Sequence, residues 1–380
     1  SYIAEVTQKT TPAGNFTTLR CKNPGGLSPQ KTSIESEEVT NDRQDVDFRH
    51  GFESVSGDIN CEVIGANADV FIAAAFGGAW EAPVTVSSGL TSLGSELSTE
   101  TITRATGSWI TDDFRVGDVI LLTTDTTTET QAVVTDNSGG AATELDIATL
   151  DGENFPAIAS TIDSVALVGE RVSIGNAAIS TFSFERYHSD IDQSFICRGV
   201  GVNTFSLSAQ PDAMLQMTFG LLGMAFDAGS ATQKTLTAAT TNSPITSNPS
   251  GGAVLIDGVV AGFVTGINFN LDNGRVAEAV IGSNEASCLQ EGTANATGDV
   301  TLWLANATYW DHFKNEGEIA INYYAPDPDG NYINFVGPRA KLTDYSVEVN
   351  KNGAIPQTFN LKFLKDETTG TTASIQGTWR

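Results

Sequence analysis

The chain has 380 residues, 40% of them hydrophobic, enough to build cores for two or three domains, which excludes a disordered protein. Asp and Glu number 46 against 20 Lys and Arg, a formal charge of −26, so a surface built to grip nucleic-acid phosphates by counterion release is excluded too. Solubility is the plain use of such acidity.

The N-terminal SYIAEVTQKT has no basic region followed by an apolar run, and no stretch of about 18 apolar residues occurs, so neither an export signal nor a membrane contact is expected. Residues 1–32 read as an arm. Within it SPQK, Ser28 to Lys31, has the Ser-x-x-Lys spacing of acyl-serine enzymes but stands among Pro and Gly without the partner motifs. SGDINCEV then predicts a strand, and NADVFIAAAFGG, Asn67 to Gly78, a helix opened by an Asn cap and closed by Gly. Residues 82–174, with TITRATGSWITDDFRVGDVILLTT and TQAVVTDNSGGAATELDIATL, read as a small β-module with a hairpin turn at Gly117-Asp118.

Period-2 alternation follows in STFSFERY, Ser180 to Tyr187, and in NTFSLSAQPDAMLQMTFGL, Asn203 to Leu221, a strand, turn and strand. The Thr-, Ser-, Ala- and Gly-rich residues 228–252 read as a linker or extended arm. Beyond them GINFNLDN, TGDVTLWL, EIAINYYA and TFNLKFL predict strands, and NATYWDHFKNEG, Asn306 to Gly317, a second Asn-capped helix ending at Gly. APDPDGNY bunches acids as calcium loops do but lacks the twelve-residue frame, and reads as a hairpin turn at Asp329-Gly330.

The order repeats. NTFSLSAQPDAMLQMTFGL matches TDYSVEVNKNGAIPQTFNL, pairing Phe205 with Tyr345, Ser206 with Ser346, Leu207 with Val347, Phe219 with Phe359 and Leu221 with Leu361, each 140 positions apart. Gly57 and Gly298, in the strands before the helices, are 241 apart, so the first copy holds about a hundred extra residues after its helix. The expected fold is mainly β. It comprises two tandem β-sandwich or half-barrel units, each with one flanking helix, plus the inserted β-domain. The boundaries are 1–32 for the arm, 33–81 and 175–227 for the first unit, 82–174 for the insert, 228–252 for the linker and 253–380 for the second unit.

No chemistry emerges. Cys21, Cys61, Cys197 and Cys288 lack CxxC spacing and read as free thiols, and His50, His188 and His312 lie in different elements without ligand spacing. Neither a P-loop nor a GxGxxG fingerprint occurs. The expected sets of catalytic, cofactor-binding and metal-binding residues are therefore all empty, and the protein is read as no enzyme.

The chain resembles the major tail tube proteins of long-tailed, non-contractile bacteriophages. NDRQ, Asn41 to Gln44, followed by SGDINCEV and its helix, carries the resemblance. So do GDVTLWL, ATYWDHF, DPDGNYINFVGPRAKLTDYSVEVNKNGAIPQTFNLKFLKD and RYHSDIDQSFICRGVGVNTFSLSAQPDAMLQMTFGLLG, while the insert is similar to a β-module of tail proteins. The resemblance implies a virion protein that self-assembles, after synthesis in the bacterial cytoplasm, into stacked rings. The hollow tube would conduct double-stranded viral DNA without specific binding, and the partners would be further copies, a tape measure protein, and tail terminator and distal tail proteins. Segments near Ser36 to Ser56 and Asp272 to Thr297 would reach the adjacent ring. Two units per chain imply a homotrimer with pseudo-six-fold symmetry, with six chains per ring as the alternative. Glu185, Asp272, Asp344 and Glu348 are the candidate lumen acids. The rival reading is an acidic multi-domain β-sandwich adhesin or surface-layer binding protein, with the insert as its recognition module.

Overall fold

A computed structural model describes residues 1–22, 26–38, 47–92, 99–124, 128–137, 143–155, 162–230, 233–247, 252–348 and 353–378. NDRQ lies outside the described residues. Ten strands and two helices carry the architecture. In chain order they are β1 (Ser28–Glu35), β2 (Phe48–Glu62), α1 (Asp69–Phe76), β3 (Phe182–His188), β4 (Gln193–Ala209), β5 (Gln216–Gly223), β6 (Val264–Asp272), β7 (Asn295–Trp303), α2 (Thr308–Lys314), β8 (Glu318–Pro326), β9 (Tyr332–Val347) and β10 (Pro356–Phe363).

The principal sheet runs β1-β2-β5-β4-β6-β7-β10-β9, all neighbours antiparallel. Its two halves, β1-β2-β5-β4 and β6-β7-β10-β9, have the same order and meet at β4 and β6, where Phe205 stands opposite Leu271 and Leu207 opposite Phe269. The two repeats therefore share one half-barrel sheet. β4 and β9 are 17 and 16 residues long because each serves two layers. Their N-terminal halves pair with β3 and β8 in the second layer, and their C-terminal halves with β5 and β10 in the first.

Alternation explains the two faces. Phe205, Leu207, Met217, Phe219, Phe269, Leu271, Phe359 and Leu361 point inward to one core, joined there by Phe71 and Phe76 of α1. Burying a Phe or Leu side chain contributes about 1.5–3 kcal/mol, and this face sums many of them. Glycine enters the repeated Gly-Asp step through close approach. A Cβ on Gly298 would lie 2.6 Å from the Asn268 carbonyl oxygen and 3.0 Å from the Phe363 ring; one on Gly57 would lie 1.7 Å from the Gly26 oxygen.

Both helices start differently from expectation. The residues at the N-caps are Ala68 and Ala307. Asn67 instead locks the preceding chain, accepting from Arg20 N–H and donating to Arg20 C=O, both at 2.9 Å. Asn306 accepts from Thr308 N–H at 3.0 Å, a local turn just outside the helix. Gly77 closes α1 in the left-handed conformation as expected, at φ 58°, whereas α2 ends at Asn315 and Glu316 takes the positive φ before Gly317.

The N-terminal residues are woven into the second layer. Tyr2–Ala4 pairs with β3, and the Tyr2 ring sits 4.5 Å from that of Phe71. Likewise the segment after residue 228 is stitched down: Leu236–Thr237 pairs with Phe16–Thr17, and Ile245 is buried beside Val63 and Leu215.

Residues 85–167 form a separate seven-stranded sheet around Trp109, Phe114, Ile120, Leu122, Leu145 and Ile147. Gly117 and Asp118 make no hairpin turn. Val119–Thr124 pairs with Thr128–Asp136, with Thr124 opposite Thr128, and Gly117 does different work. Its carbonyl accepts from the side-chain amides of Asn322 at 2.7 Å and Asn334 at 2.8 Å, on β8 and β9. The insert of the first repeat is thus bedded on the second, with Val119, Val133, Ala148 and Leu150 packed against Ala253, Leu255, Tyr324 and Tyr332.

Candidate functional site

The opposite face of the principal sheet is largely polar, with Trp303 exposed on it at the end of β7. Thr204, Ser206 and Ser208 line it from β4, Asn268, Asn270 and Asp272 from β6, Thr297, Asp299 and Thr301 from β7, and Thr358, Asn360 and Lys362 from β10. Short side chains bond across the strands: Ser208 Oγ donates to Asn268 Oδ1 at 2.6 Å, Asn268 Nδ2 to Asp299 Oδ2 at 2.9 Å, and Thr301 and Thr358 hydroxyls meet at 2.9 Å. Cross-strand pairing of this kind holds hydroxyls and amides flat on the sheet. Carboxylates of Asp58, Glu62, Asp272, Asp299 and Asp344 share the face with the ammonium groups of Lys22, Lys341 and Lys362 among the described residues, and each is engaged: Lys362 with Asn295 Oδ1 at 2.9 Å, Lys22 with Glu62 at 3.7 Å and Lys341 with Glu318 at 3.7 Å. Such a face repels phosphate mildly and offers it little to hold.

Of the acids picked out by alternation, Asp272 and Asp344 are exposed on this face, and Glu348 is exposed one residue past β9. Glu185 belongs elsewhere. It is 4% exposed on β3, and its carboxylate accepts from Ser1 Oγ, Ser194 Oγ and Lys234 N–H. Alternation gives the face of a strand but not which layer the strand joins.

The joint between the halves uses residues that the sequence did not single out. Arg275, 5% exposed, donates to the carbonyl oxygens of Ala74 and Val202 and reaches Glu291 at 3.2 Å. Asn273 donates to Ala75 C=O at 2.9 Å. Second-repeat side chains thereby satisfy the last carbonyls of α1, where a cation also suits the helix dipole. Burial pulls the Arg275 guanidinium below its ordinary pKa, and Glu291 counters this.

At the neck of the insert Arg171, 3% exposed, pairs with Glu81, Asp113 and Asp118. The Glu81 and Arg171 backbones also exchange hydrogen bonds of 2.7 and 3.2 Å, so the insert leaves and re-enters the first repeat at one point. Burial pushes the Asp118 carboxyl up to about 6 against the pull of Arg171.

The remaining sequence candidates do not converge. His50 is exposed on β2, His188 ends β3 and His312 lies in α2. Among the described residues no group of three His, Cys, Asp or Glu could hold a metal ion. All four cysteines are free, with Cys61 buried and its thiol pushed up to about 12. Ser28 and Lys31 lie on the exposed strand β1, where Lys31 is paired with Glu53 at 2.5 Å. Asp327 caps the Asp329-Gly330 turn by accepting from the Asp329 and Asn331 N–H groups.

Fold and face together define a duplicated β-sandwich protein with one continuous sheet, polar on its outer side and unpaired at both ends among the described residues. The chain belongs to the phage tail tube proteins: the family model of that description matches residues 1–363. It is a structural component of the phage virion. No curated protein matches the chain.

Proposed function

We propose that this chain builds the tail tube as rings of three copies, stacked to conduct double-stranded viral DNA. The observation that carries the reading is the β4·β6 junction, which joins two four-stranded halves of the same order into one sheet. Three such chains supply six halves, and closure removes edges that would otherwise template indiscriminate aggregation. The polar, acid-bearing face lines the lumen, and DNA slides past hydroxyls, amides and carboxylates without binding. Residues 33–81 with 175–227 and residues 253–380 are the two wall units, residues 82–174 the outer module, and residues 1–32 and 228–252 segments attached to the first unit, the end of the former, residues 28–32, running on into its edge strand β1. Assembly takes place in the host cytoplasm, with a tape measure protein inside the tube and terminator and distal tail proteins at its ends.

The β1–β2 hairpin, solvent-exposed along β1 and at Phe48, supports a contact to the adjacent ring. Its counterpart, residues 272–297, instead folds back over the first half, where Glu285 pairs with Lys9 and Arg198 at 3.5 Å. Of these two segments, the β1–β2 hairpin is therefore the one that reaches out. Electron microscopy of the assembled tube, reconstructed without imposed symmetry, tests the reading. Three outer lobes per ring, one per insert, are expected; six equivalent lobes would overturn the three-chain ring.

A further inference from the structure

We propose that the two open ends of the sheet join between copies in the register of the internal β4·β6 junction, with the aromatic cluster Trp310, Phe313 and Tyr345 seated in a second copy's pocket at Leu27 and Pro29. The proposal rests on the tube reading and names the surfaces by which one copy meets the next.

The register comes from the repeat. Inside the chain Phe205 faces Leu271, Ser206 faces Asn270 and Leu207 faces Phe269. On β9 the equivalents of Phe205, Ser206 and Leu207 are Tyr345, Ser346 and Val347. On β1 the equivalents follow from the strand next door: Asn270 faces Thr297 and Ser28 faces Ser56, each of these being the residue before the repeated Gly-Asp step. Ser28 thus stands for Asn270, Pro29 for Leu271 and Leu27 for Phe269. Between copies the pairs become Tyr345 with Pro29, Ser346 with Ser28 and Val347 with Leu27.

Backbone direction agrees on both sides. Glu348 N–H donates to Pro356 C=O at 3.1 Å, so alternation turns the N–H groups of Tyr345 and Val347 away from β10, to the open side. Glu53 N–H donates away from β1, to Asn284 C=O at 2.6 Å. Val55 follows the same direction two residues on, and Pro29 opposite it presents its carbonyl to the open edge. Proline offers no N–H there, which discourages pairing with an arbitrary strand while leaving an acceptor for Tyr345.

Side chains give an independent match. At the internal junction Phe205 is 1% exposed, its ring 6.2 Å from that of Phe269 and 5.7 Å from that of Phe76. At the outer end the corresponding surface is bare: Trp310 is 49% exposed, Val347 39% and Phe313 36%, with Trp310 and Phe313 rings 5.5 and 6.5 Å from Tyr345. Beside β1 lies a cavity of about 240 Å³ whose apolar wall is Leu27, Pro29, Ile59, Phe195 and Phe226, with Glu185, Arg186 and Asp227 also lining it. Exposed aromatics at one end thus meet the apolar wall of a hollow at the other, and a second copy of this chain supplies it in the register of the internal junction.

The test uses full-length chains carrying Ser28→Cys or Ser346→Cys, mixed and oxidised with glutathione disulfide, then run on a non-reducing gel beside wild type. Directly opposed, non-hydrogen-bonded residues bring Cβ atoms close enough for a disulfide. The mixture should yield linked pairs at least about tenfold above the register-shifted mixture of Ser28→Cys with Asp344→Cys, whose Cβ atoms are farther apart. Trp310→Ser should suppress the linkage while leaving the circular dichroism spectrum intact. Rings or tubes in the microscope without the linkage, or equal linkage from the shifted pair, would overturn this junction and leave the tube reading standing. Linkage without rings or tubes would uphold the junction and overturn the tube reading; absence of both would overturn both.

Discussion

At Asp118, burial and ion pairing pull in opposite directions, and the carboxyl is pushed up to about 6. A group that holds its proton more tightly when folded contributes stability below the unfolded carboxyl range, near 4, and loses it as the pH rises through about 6. Thermal melts of the wild type should therefore lose up to about 3 kcal/mol more than Asp118→Asn on going from pH 4 to pH 7.5. Equal losses in the two proteins would refute that reading of the pair. Gly337 tests close packing in a different way. A Cβ there would stand 2.2 Å from Phe363 Cε1, in a ring that is 4% exposed, so Gly337→Ala should destabilise by about 1–3 kcal/mol in urea melts.

Elements meet in this protein through polar side chains that finish another element's hydrogen bonds. Arg275 and Asn273 do so for α1, and Arg275→Met should cost about 2–4 kcal/mol by leaving the Ala74 and Val202 carbonyls buried without a donor. The insert obeys the same logic on a larger scale. Gln376 holds both the N–H and the C=O of Val119, at 2.7 and 2.9 Å, while Asn322 and Asn334 hold Gly117. Excising residues 83–172 with a short Gly/Ser bridge would strand those amides and uncover Tyr324 and Tyr332. The thermal midpoint of the shortened chain should fall by at least about 5 °C. An unchanged midpoint would mean that the second repeat stands without its cover.

Over the whole molecule the charge of −26 is divided between a solubilising exterior and one polar sheet face. Asp58 and Asp272 are exposed on that face, so replacing both by Lys should leave assembly intact while slowing DNA ejection, most of all at low salt. Ejection from virions carrying the two substitutions, followed at 10 mM and 150 mM salt, checks this; both concentrations are about those at which screening changes range from long to short. Identical rates at the two would remove the electrostatic role proposed for this face.

Much of this is legible in the sequence. Period-2 alternation marks the strands because successive side chains leave a strand on opposite faces, and the 140-residue repeat follows from two copies of one strand order. The excess of carboxylates over cations was a matter of counting. What the sequence alone could not determine was which strands become neighbours across the repeats, since backbone pairing leaves no mark on residue identity. The β4·β6 junction, the burial of Glu185 in the second layer and the seat of the insert on β8 and β9 are products of tertiary packing. Gly117 shows both: it takes the turn its local chemistry offers, at φ 93° with Asp118 N–H donating to Arg115 C=O at 3.1 Å, and its carbonyl is held by amides more than 200 residues away. Local propensity made the turn, and the need to satisfy a buried polar group fixed its carbonyl on distant partners that only the folded chain brings together.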